Sequence, residues 1–384
     1  MSRNPNMLLT VRGPMVALSV CCLWTLRCAG EEVSIQVPDE RAPLIRYDIT
    51  HATKILPVPN SELFQLPEAG IRTDTRSALA RNGDIYVGGG GFLWKSTDRG
   101  ETWTKRDLPQ RSAGGFGILD DDVFVLVLYS SDHSHGSVLR STDYGETWSD
   151  PVSLDIRPYN YCGGGWSDVH QHPDGTAMIT MTLRNRSPGN RFHDYIFRSR
   201  DAGKTWGDPT LLIPYSAESS LLALQDSSRM LAFVRAQRVS LADDADDFWK
   251  QTGAGPNSHW PLKNGVVAES EDGGRTWHNL RLFDTYGSVP GEMIETPDGR
   301  VAAIWLQRYP YHEAEIRARI STDGGRTWGK RTYRVLQGHG YPSSIVYPDG
   351  TIVTVCENTK FQGGQPAGKR TMAAVRWQLP NSNP

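Results

Sequence analysis

Five copies of one eight-residue pattern decide the architecture of this chain: STDRGETW at 96–103, STDYGETW at 141–148, SRDAGKTW at 199–206, SEDGGRTW at 270–277 and STDGGRTW at 321–328. Each copy, called a box below, reads Ser-x-Asp-x-Gly-x-Thr-Trp. Ser and Asp side chains bond the backbone of a tight turn, and Gly supplies a positive φ. We therefore predict that each box is a hairpin turn in a structural repeat, and that its Trp packs between neighbouring repeats.

A second turn signal lies earlier in each repeat and once more after the fifth box: Asn82-Gly83, Asp120 to Asp122, Asp174-Gly175, Asp226-Ser227, Asp298-Gly299 and Asp349-Gly350. β-prone runs flank these turns. Six units of four short strands predict an all-β, six-bladed β-propeller with four-stranded antiparallel blades. The predicted blades cover roughly 71–108, 112–155, 163–213, 217–284, 289–336 and 339–380.

The first 70 residues differ from the repeats. Residues 1–30 combine Arg3 and Arg12 with a short apolar run and the small residues around Cys28, an order that predicts a secretory signal peptide. We expect a secreted or periplasmic protein, with a lipid anchor at Cys28 as the alternative. Residues 31–70 form a lead-in that we expect to add a strand closing the ring, and residues 71–384 form the propeller.

The bulk composition excludes several classes of function. The formal net charge of −2 gives no electrostatic indication of a nucleic-acid partner. The apolar run of the leader is too short to cross a bilayer, and no other segment has that length, so no membrane span is predicted. Only Cys162 and Cys356 follow the leader, which excludes a disulfide-stapled fold. The sequence gives no sign of a cofactor or a metal site.

The predicted geometry of the blades indicates where a binding site lies. Both kinds of turn fall on one face, so the starts of the inner strands and the ends of the second strands gather on the opposite face, at the mouth of the channel. The position eight residues before the first turn of each blade reads Asp74, Ala113, Trp166, Glu218, Pro290 and Tyr341. The second strands end in Arg184, Arg235, Arg308 and Glu357. Crowded charges cost free energy unless they are paired, so this set predicts a site for a small anionic molecule.

These residues resemble the exo-sialidase (neuraminidase) family. The boxes look like the Asp-boxes of that family. Gly340-Tyr341-Pro342-Ser343-Ser344, followed by the turn at Asp349 and by Glu357, is similar to the segment that carries its nucleophilic tyrosine. Glu218, Asp226 and Arg235 follow one another like the family's glutamate, turn and second carboxylate-binding arginine.

The resemblance implies a retaining exo-α-sialidase, without a cofactor, that removes sialic acid or a related acidic sugar from glycoconjugates. A carboxylate nucleophile would be repelled by the fixed carboxylate of such a sugar, so a neutral tyrosine activated by a glutamate suits the reaction. The implied catalytic residues are Tyr341 as nucleophile, Glu218 as its base and Asp74 as general acid. The implied substrate-binding residues are Arg76, Arg235, Arg308 and Glu357, with the three arginines expected to converge near Tyr341.

Blade one departs from the family pattern and leaves alternatives open. Arg72 competes with Arg76 for the first arginine, and Arg317 competes with Arg308 for the third. The loop that usually carries the general acid is a run of four glycines, 88–91, so Asp168 competes with Asp74. Two other functions are compatible with this pattern: a non-catalytic propeller that binds a glycan or a protein, and an enzyme that acts on a different acidic sugar.

Overall fold

The computed structural model describes residues 55–67, 75–110, 113–163, 166–187, 192–225, 228–237, 263–284, 287–308, 314–338, 340–358, 361–362, 365–366 and 371–380. The predicted leader and Asp74 lie outside these ranges, so both stay predictions. The described residues form six β-sheets arranged as blades, together with one short hairpin. The predicted all-β, six-bladed propeller is confirmed.

Two strands precede the first blade: β1 (Ile55–Pro57) and β2 (Glu62–Leu66). Blade one holds β3 (Arg76–Leu79), β4 (Ile85–Gly89), β5 (Phe92–Ser96) and β6 (Thr104–Asp107). Blade two holds β7 (Ala113–Leu119), β8 (Val123–Tyr129), β9 (Gly136–Ser141) and β10 (Val152–Leu154), with a 3-10 turn at Asp120–Asp122. Blade three holds β11 (Tyr161–Cys162), β12 (Val169–Gln171), β13 (Ala177–Arg184), β14 (His193–Ser199) and β15 (Gly207–Ile213).

Blade four holds β16 (Ser216–Ala223), β17 (Met230–Gln237), β18 (Lys263–Ser270) and β19 (His278–Leu282). Blade five holds β20 (Ser288–Glu295), β21 (Val301–Gln307), β22 (Glu315–Ser321) and β23 (Thr332–Gln337). Blade six holds β24 (Ser343–Val346), β25 (Thr351–Glu357) and β28 (Met372–Gln378). The short hairpin between β25 and β28 is β26 (Phe361–Gln362) with β27 (Gln365–Pro366).

The ring is closed by a strand from the lead-in. β2 pairs antiparallel with β28 as the outermost strand of blade six, so blade six contains chain from both ends of the described propeller. Glu62 lies opposite Arg376, and their side chains form an ion pair of 2.5 Å. β1 adds a parallel fifth strand to the outer edge of blade five. The expectation of a closing strand from this segment is confirmed.

The boxes form the same hydrogen-bonded turn in all five blades that carry one. In box four, Ser270 Oγ donates to Asp272 Oδ1 at 2.8 Å, and the amide of Gly274 donates to Ser270 Oγ at 2.9 Å. Thr276 donates to Asp272 through its amide at 2.9 Å and through its hydroxyl at 2.6 Å. Burial alone would raise the pKa of Asp272, but the hydrogen bonds from Thr276 and Ser270 outweigh it and hold this pKa at about 2. Each box is therefore a hairpin turn between the third and fourth strands, as predicted.

An arginine from the preceding blade contacts each box. Arg198 donates to the carbonyl of Gly274 in box four at 2.7 Å, and Arg140 donates to the carbonyl of Ala202 in box three at 3.0 Å. The other contacts of this kind join Arg376 to Glu101, Arg106 to Tyr144 and Glu146, and Arg281 to Gly325. The box tryptophans also pack against apolar clusters shared with a neighbouring blade, which confirms that prediction. The boxes thus join the blades to one another.

The apolar core lies between adjacent blades. One cluster, for example, packs Tyr86 and Leu93 of blade one against Phe116, Phe124 and Leu126 of blade two. This arrangement leaves polar side chains of the inner strands to line the channel. In the described ranges, no helix has the length and apolar character needed to cross a membrane.

Candidate functional site

The mouth of the channel, defined as the end where the inner strands begin, holds the predicted site. Glu218 lies in a bulge of β16, where the pairing with β17 shifts between Ala217 and Ser220. Its φ of 53° is in the left-handed region that side chains rarely adopt. Bulges and such strained residues re-aim side chains and are common at functional sites. This local conformation sets the direction in which the Glu218 carboxylate points.

Tyr341, Glu218 and Arg235 form a hydrogen-bonded series at the mouth. The Tyr341 hydroxyl donates to Glu218 Oε1 at 3.0 Å, and Arg235 Nη1 lies 2.5 Å from Glu218 Oε2. All three residues are buried. They come from blades six and four, and residues 218 and 341 are 123 positions apart in the chain. The structure therefore brings together the predicted nucleophile, the predicted base and one predicted arginine.

Arg308 completes this group from blade five. Its Nη2 lies 3.5 Å from the Tyr341 hydroxyl, and its guanidinium carbon lies 5.7 Å from the centre of the Tyr341 ring. The competing residue Arg317 donates instead to Glu315 of its own strand at 2.6 Å. The geometry thus favours Arg308 over Arg317 as a residue of the site.

Arg76 lies against the ring of Trp166, in a layer that it forms with Asp168 and Glu292. Its guanidinium carbon is 3.5 Å from the centre of the Trp166 ring, and that ring packs edge-on against Tyr341 at 5.7 Å. Arg76 Nη2 lies 3.1 Å from Asp168 and Nη1 lies 3.5 Å from Glu292. Arg76 is thus held by two carboxylates, and the ring of Trp166 links it to Tyr341. Its substrate-binding role and that of Asp168 as general acid stay predictions, and both are less favoured by these contacts.

Glu292 is a residue that the sequence reasoning missed. Burial raises its pKa to about 8, although Arg76 and Ser344 both favour the charged form. A signal for this layer exists in the sequence. Arg76, Asp168 and Glu292 each lie two residues after the position that is eight residues before the first turn of the blade, namely Asp74, Trp166 and Pro290. Alternate residues of an extended chain point to the same side.

Asp194 is a second missed residue, and it lies behind Glu218. Its carboxylate accepts hydrogen bonds from the hydroxyls of Thr182 and Ser219, and Thr182 Oγ1 also accepts the amide of Glu218 at 3.4 Å. Burial raises the pKa of Asp194 to about 6 in spite of these hydrogen bonds. Asp194 lies on a third strand, away from the positions that the repeat marks as the mouth, so no sequence signal indicated it.

Glu357 ends the second strand of blade six and is buried. A Cβ on Gly340 would lie 2.3 Å from the carbonyl oxygen of Glu357, so only glycine fits between this strand and Tyr341. The backbone of Glu357 therefore fixes the segment that presents Tyr341. Its predicted substrate-binding role remains a prediction.

The glycine run of blade one forms a tight turn. Gly89 pairs with Phe92, and the two residues between them, Gly90 and Gly91, have φ values of 58° and 86°. Both values are positive, as in the two-residue type I′ hairpin. The connection between the second and third strands is therefore too short to overhang the mouth. Asp74 and Arg72 lie outside the described residues, and their predicted roles stay open.

Aromatic and cationic side chains line the mouth beside blade three. The guanidinium carbon of Arg184 lies 4.5 Å from the ring centres of both Tyr161 and Phe192. His133 of blade two stacks against Tyr161 at 5.0 Å. Arg184 is the last residue of the second strand of its blade, and Arg235 and Arg308 lie within two residues of the same point in the next two blades. The guanidinium of Arg184, however, is held between the two rings.

Comparison with known proteins places this arrangement in a class. Box turns on a six-bladed ring, with a polar mouth opposite them, define a propeller built from BNR-type repeats. The chain matches the BNR repeat-like domain family over residues 122–354, which is more than half of its length, and it belongs to this family.

A curated relative and several solved structures are similar to the chain. A xyloglucanase from Paenibacillus sp. is 27% identical over 269 residues, which cover 56% of this chain and 26% of that enzyme. The chain thus spans about a quarter of the length of this relative. A Dyadobacter fermentans protein of unknown function aligns with a TM-score of 0.61 at 17% identity, covering 84% of this chain and all of that one.

Two solved glycan-related proteins share the fold. A Hadza microbial sialidase has a TM-score of 0.56 and 15% identity, covering 80% of this chain and 65% of the sialidase. The Penicillium chrysogenum α-L-arabinanase complexed with arabinobiose has a TM-score of 0.54 and 15% identity, covering 83% of this chain and 98% of the arabinanase. At these identities the similarity concerns the fold alone.

Proposed function

We propose that the protein is a glycoside hydrolase of sialidase type, which releases a terminal acidic sugar, sialic acid or a close analogue, from glycoconjugates with retention. The observation that carries the proposal is the series Tyr341–Glu218–Arg235, with Arg308 at the Tyr341 hydroxyl. A nucleophile within hydrogen-bond reach of a base that is itself oriented by a third group is the arrangement that covalent catalysis needs. The xyloglucanase, arabinanase and sialidase named above support action on glycans in general.

The first chemical step joins Tyr341 to the sugar. The phenol oxygen attacks the anomeric carbon while its proton passes to Glu218 Oε1, and the glycosidic C–O bond breaks as the new C–O bond forms. The leaving oxygen takes a proton from a general acid, for which Asp74 is the candidate. Water then displaces Tyr341, so two inversions give net retention.

The two arginines at the mouth suit the carboxylate of an acidic sugar. Arg235 is buried, and its Nε has no hydrogen-bond partner among the described residues. Buried donors without partners cost free energy, which a bound carboxylate would recover through charge-assisted hydrogen bonds. Arg308 lies beside the nucleophile, where it would hold the same carboxylate next to the anomeric carbon.

The test is release of 4-methylumbelliferone from its α-sialoside by purified protein, compared with Tyr341→Phe and Tyr347→Phe. Tyr347 is a matched control because it is also buried and donates one hydrogen bond, to the carbonyl of Gly83 in the turn at the other end of blade one. We expect turnover to be lost in Tyr341→Phe and kept in Tyr347→Phe. Folded wild-type protein without turnover on this substrate would contradict the proposal.

A second candidate is a non-catalytic propeller that binds an acidic glycan at the same mouth. The observation in its favour is the two-residue turn at Gly90 and Gly91, which carries no acid. Calorimetric titration with N-acetylneuraminic acid distinguishes the two functions. Binding that persists in Tyr341→Phe, with no turnover by the wild type, would favour the binding protein.

A further inference from the structure

A cleft of about 230 Å³ lies between blades four and five and reaches box five, at the opposite end of the blades from Tyr341. Arg281 and Phe283 of blade four line one side, and Arg319, Arg326 and Trp328 of blade five line the other. Every charged side chain among the described residues that line the cleft is an arginine. No step of the proposed reaction uses these residues.

Among the described residues, the ion pairs of the cleft leave one of its three arginines without a carboxylate. Arg281 lies 2.5 Å from Glu269 and shares this carboxylate with Arg229, an arginine outside the lining of the cleft, at 2.7 Å. Arg319 has Asp284 at 3.4 Å. Arg326 forms no ion pair among the described residues, and its Nη1 donates only to the carbonyl of Asp323 at 3.0 Å. Counted over the part of the chain that the structure describes, the cleft therefore carries an excess of positive charge, which favours an anionic ligand.

One donor in the wall of the cleft is unsatisfied. Nε of Arg281 is buried and has no hydrogen-bond partner among the described residues. Buried polar atoms without partners are rare in proteins, and a ligand is one explanation for such an atom. The same guanidinium already bonds Glu269 and two carbonyls of box five, so its position is fixed.

The contacts at boxes three and four show that a box can be held by fewer arginines than lie at box five. Within the described residues, one arginine of the preceding blade, Arg140, contacts box three, and one, Arg198, contacts box four. At box five, Arg229 and Arg281 both donate to box carbonyls, and Arg319 and Arg326 are added to them along the cleft. Arg319 also joins the blades, because it donates to the carbonyl of Phe283 at 3.2 Å and pairs with Asp284. Among the described residues, the guanidinium of Arg326 is therefore the one that no contact between blades explains.

We propose that this cleft is a second binding site, which takes an oxyanion (a sulfate or carboxylate group) carried by an acidic glycan. Guanidinium groups bind both oxyanions with paired, charge-assisted hydrogen bonds. The indole of Trp328, which is partly buried against Phe283 at 5.0 Å, gives an apolar edge for a sugar ring beside the anion. The site is separate from the mouth and does not depend on the proposed reaction.

Calorimetric titration with a sulfated heparin-derived tetrasaccharide, with inorganic sulfate and with uncharged cellotetraose tests this site. We expect the sulfated tetrasaccharide to bind, more weakly as NaCl is raised, and cellotetraose not to bind. Arg326→Ala should raise the Kd of the sulfated tetrasaccharide about tenfold, since one charge-assisted contact is lost. Arg275→Ala is the matched control, because Arg275 has the same place in box four and pairs with Asp208 at 2.8 Å.

Three results would overturn the assignment. One is the absence of binding of the sulfated tetrasaccharide to folded wild-type protein. Another is equal weakening by Arg275→Ala, which would mean non-specific attraction. The third is loss of binding in Arg308→Gln with no effect of Arg326→Ala, which would place the ligand at the mouth. Binding of inorganic sulfate alone, with the same dependence on Arg326, would keep the oxyanion site and reject the glycan as its source.

Discussion

The two ends of the propeller use similar residues for different purposes. At the box end, the same Ser, Asp, Thr and Trp contacts recur in five blades, and arginines from the preceding blade hold each turn. At the mouth, equivalent positions carry different side chains, among them Trp166, Glu218 and Tyr341. Repetition at one end indicates a role in the fold, and variation at the other indicates a role in recognition or chemistry.

Two buried glutamates of blade four show this difference within one sheet. Glu218 lies at the mouth, where it accepts from Tyr341 and pairs with Arg235. Glu269 lies at the box end of β18, where it pairs with Arg229 and Arg281. Both are almost fully buried, at 2% and 5% exposure, and both are paired with arginine. Only their neighbours distinguish a candidate base from a structural carboxylate.

The largest expected effect is that of Glu218→Gln on turnover of the methylumbelliferyl sialoside. Glutamine cannot take the phenol proton, so kcat should fall by about 10²–10⁴-fold. Glu269→Gln is the matched control and should leave kcat within a few fold of wild type. Similar losses of kcat in the two variants would remove the functional distinction between the two ends of blade four.

The second effect is that of Glu269→Gln on stability. The substitution leaves Arg229 and Arg281 without their shared carboxylate, and removing one partner of a buried ion pair costs about 3 kcal/mol. Denaturant unfolding should show a lower midpoint with an unchanged slope. A midpoint equal to that of wild type would mean that the arginines at box five do not depend on this carboxylate.

The sequence predicts the two ends to different degrees. The box end follows from local turn chemistry, because Ser, Asp, Gly and Thr within eight residues form the whole turn. The series Tyr341–Glu218–Arg235 was also predictable, since the repeat marks equivalent positions. The placement of Arg76 against Trp166 was not predictable, because it depends on distances across the channel between three blades. The raised pKa of Glu292 depends on burial, which no local pattern records.

The third expected effect is a pH dependence of the free energy of unfolding. It comes from Glu292, in the layer that this residue forms with Arg76 and Asp168 beside Trp166. The pKa of Glu292 is raised from 4.5 to about 8 by burial, so the folded protein holds this proton where the unfolded chain has lost it. The contribution of this proton to the free energy of unfolding is complete below pH 4.5. It decreases, by up to about 1.4 kcal/mol per pH unit, as the pH rises from there to about 8.

Glu292→Gln isolates this contribution, since glutamine has the size of the neutral acid and does not titrate. Unfolding free energies measured from pH 5 to pH 8 should fall more steeply for wild type than for the variant. Asp194, whose pKa is raised to about 6, adds the same pH dependence to wild type and variant, so its effect cancels when the two curves are subtracted. Parallel curves would show that Glu292 is ionised beside Arg76 throughout this range.

The smallest effect concerns a single box. Thr276→Val in box four removes the hydroxyl that donates to Asp272 at 2.6 Å. It keeps the hydrogen bond from the backbone amide of residue 276 to Asp272 and the shape of the side chain. We expect a loss of about 1 kcal/mol in the free energy of unfolding. Thr276→Ser retains the hydroxyl and should lose less. Because the same bond joins Thr147 to Asp143 two blades away, the losses in Thr147→Val and Thr276→Val should add in the double variant. A double variant that loses clearly more than the sum would mean that the boxes act together around the ring, rather than each holding its own turn.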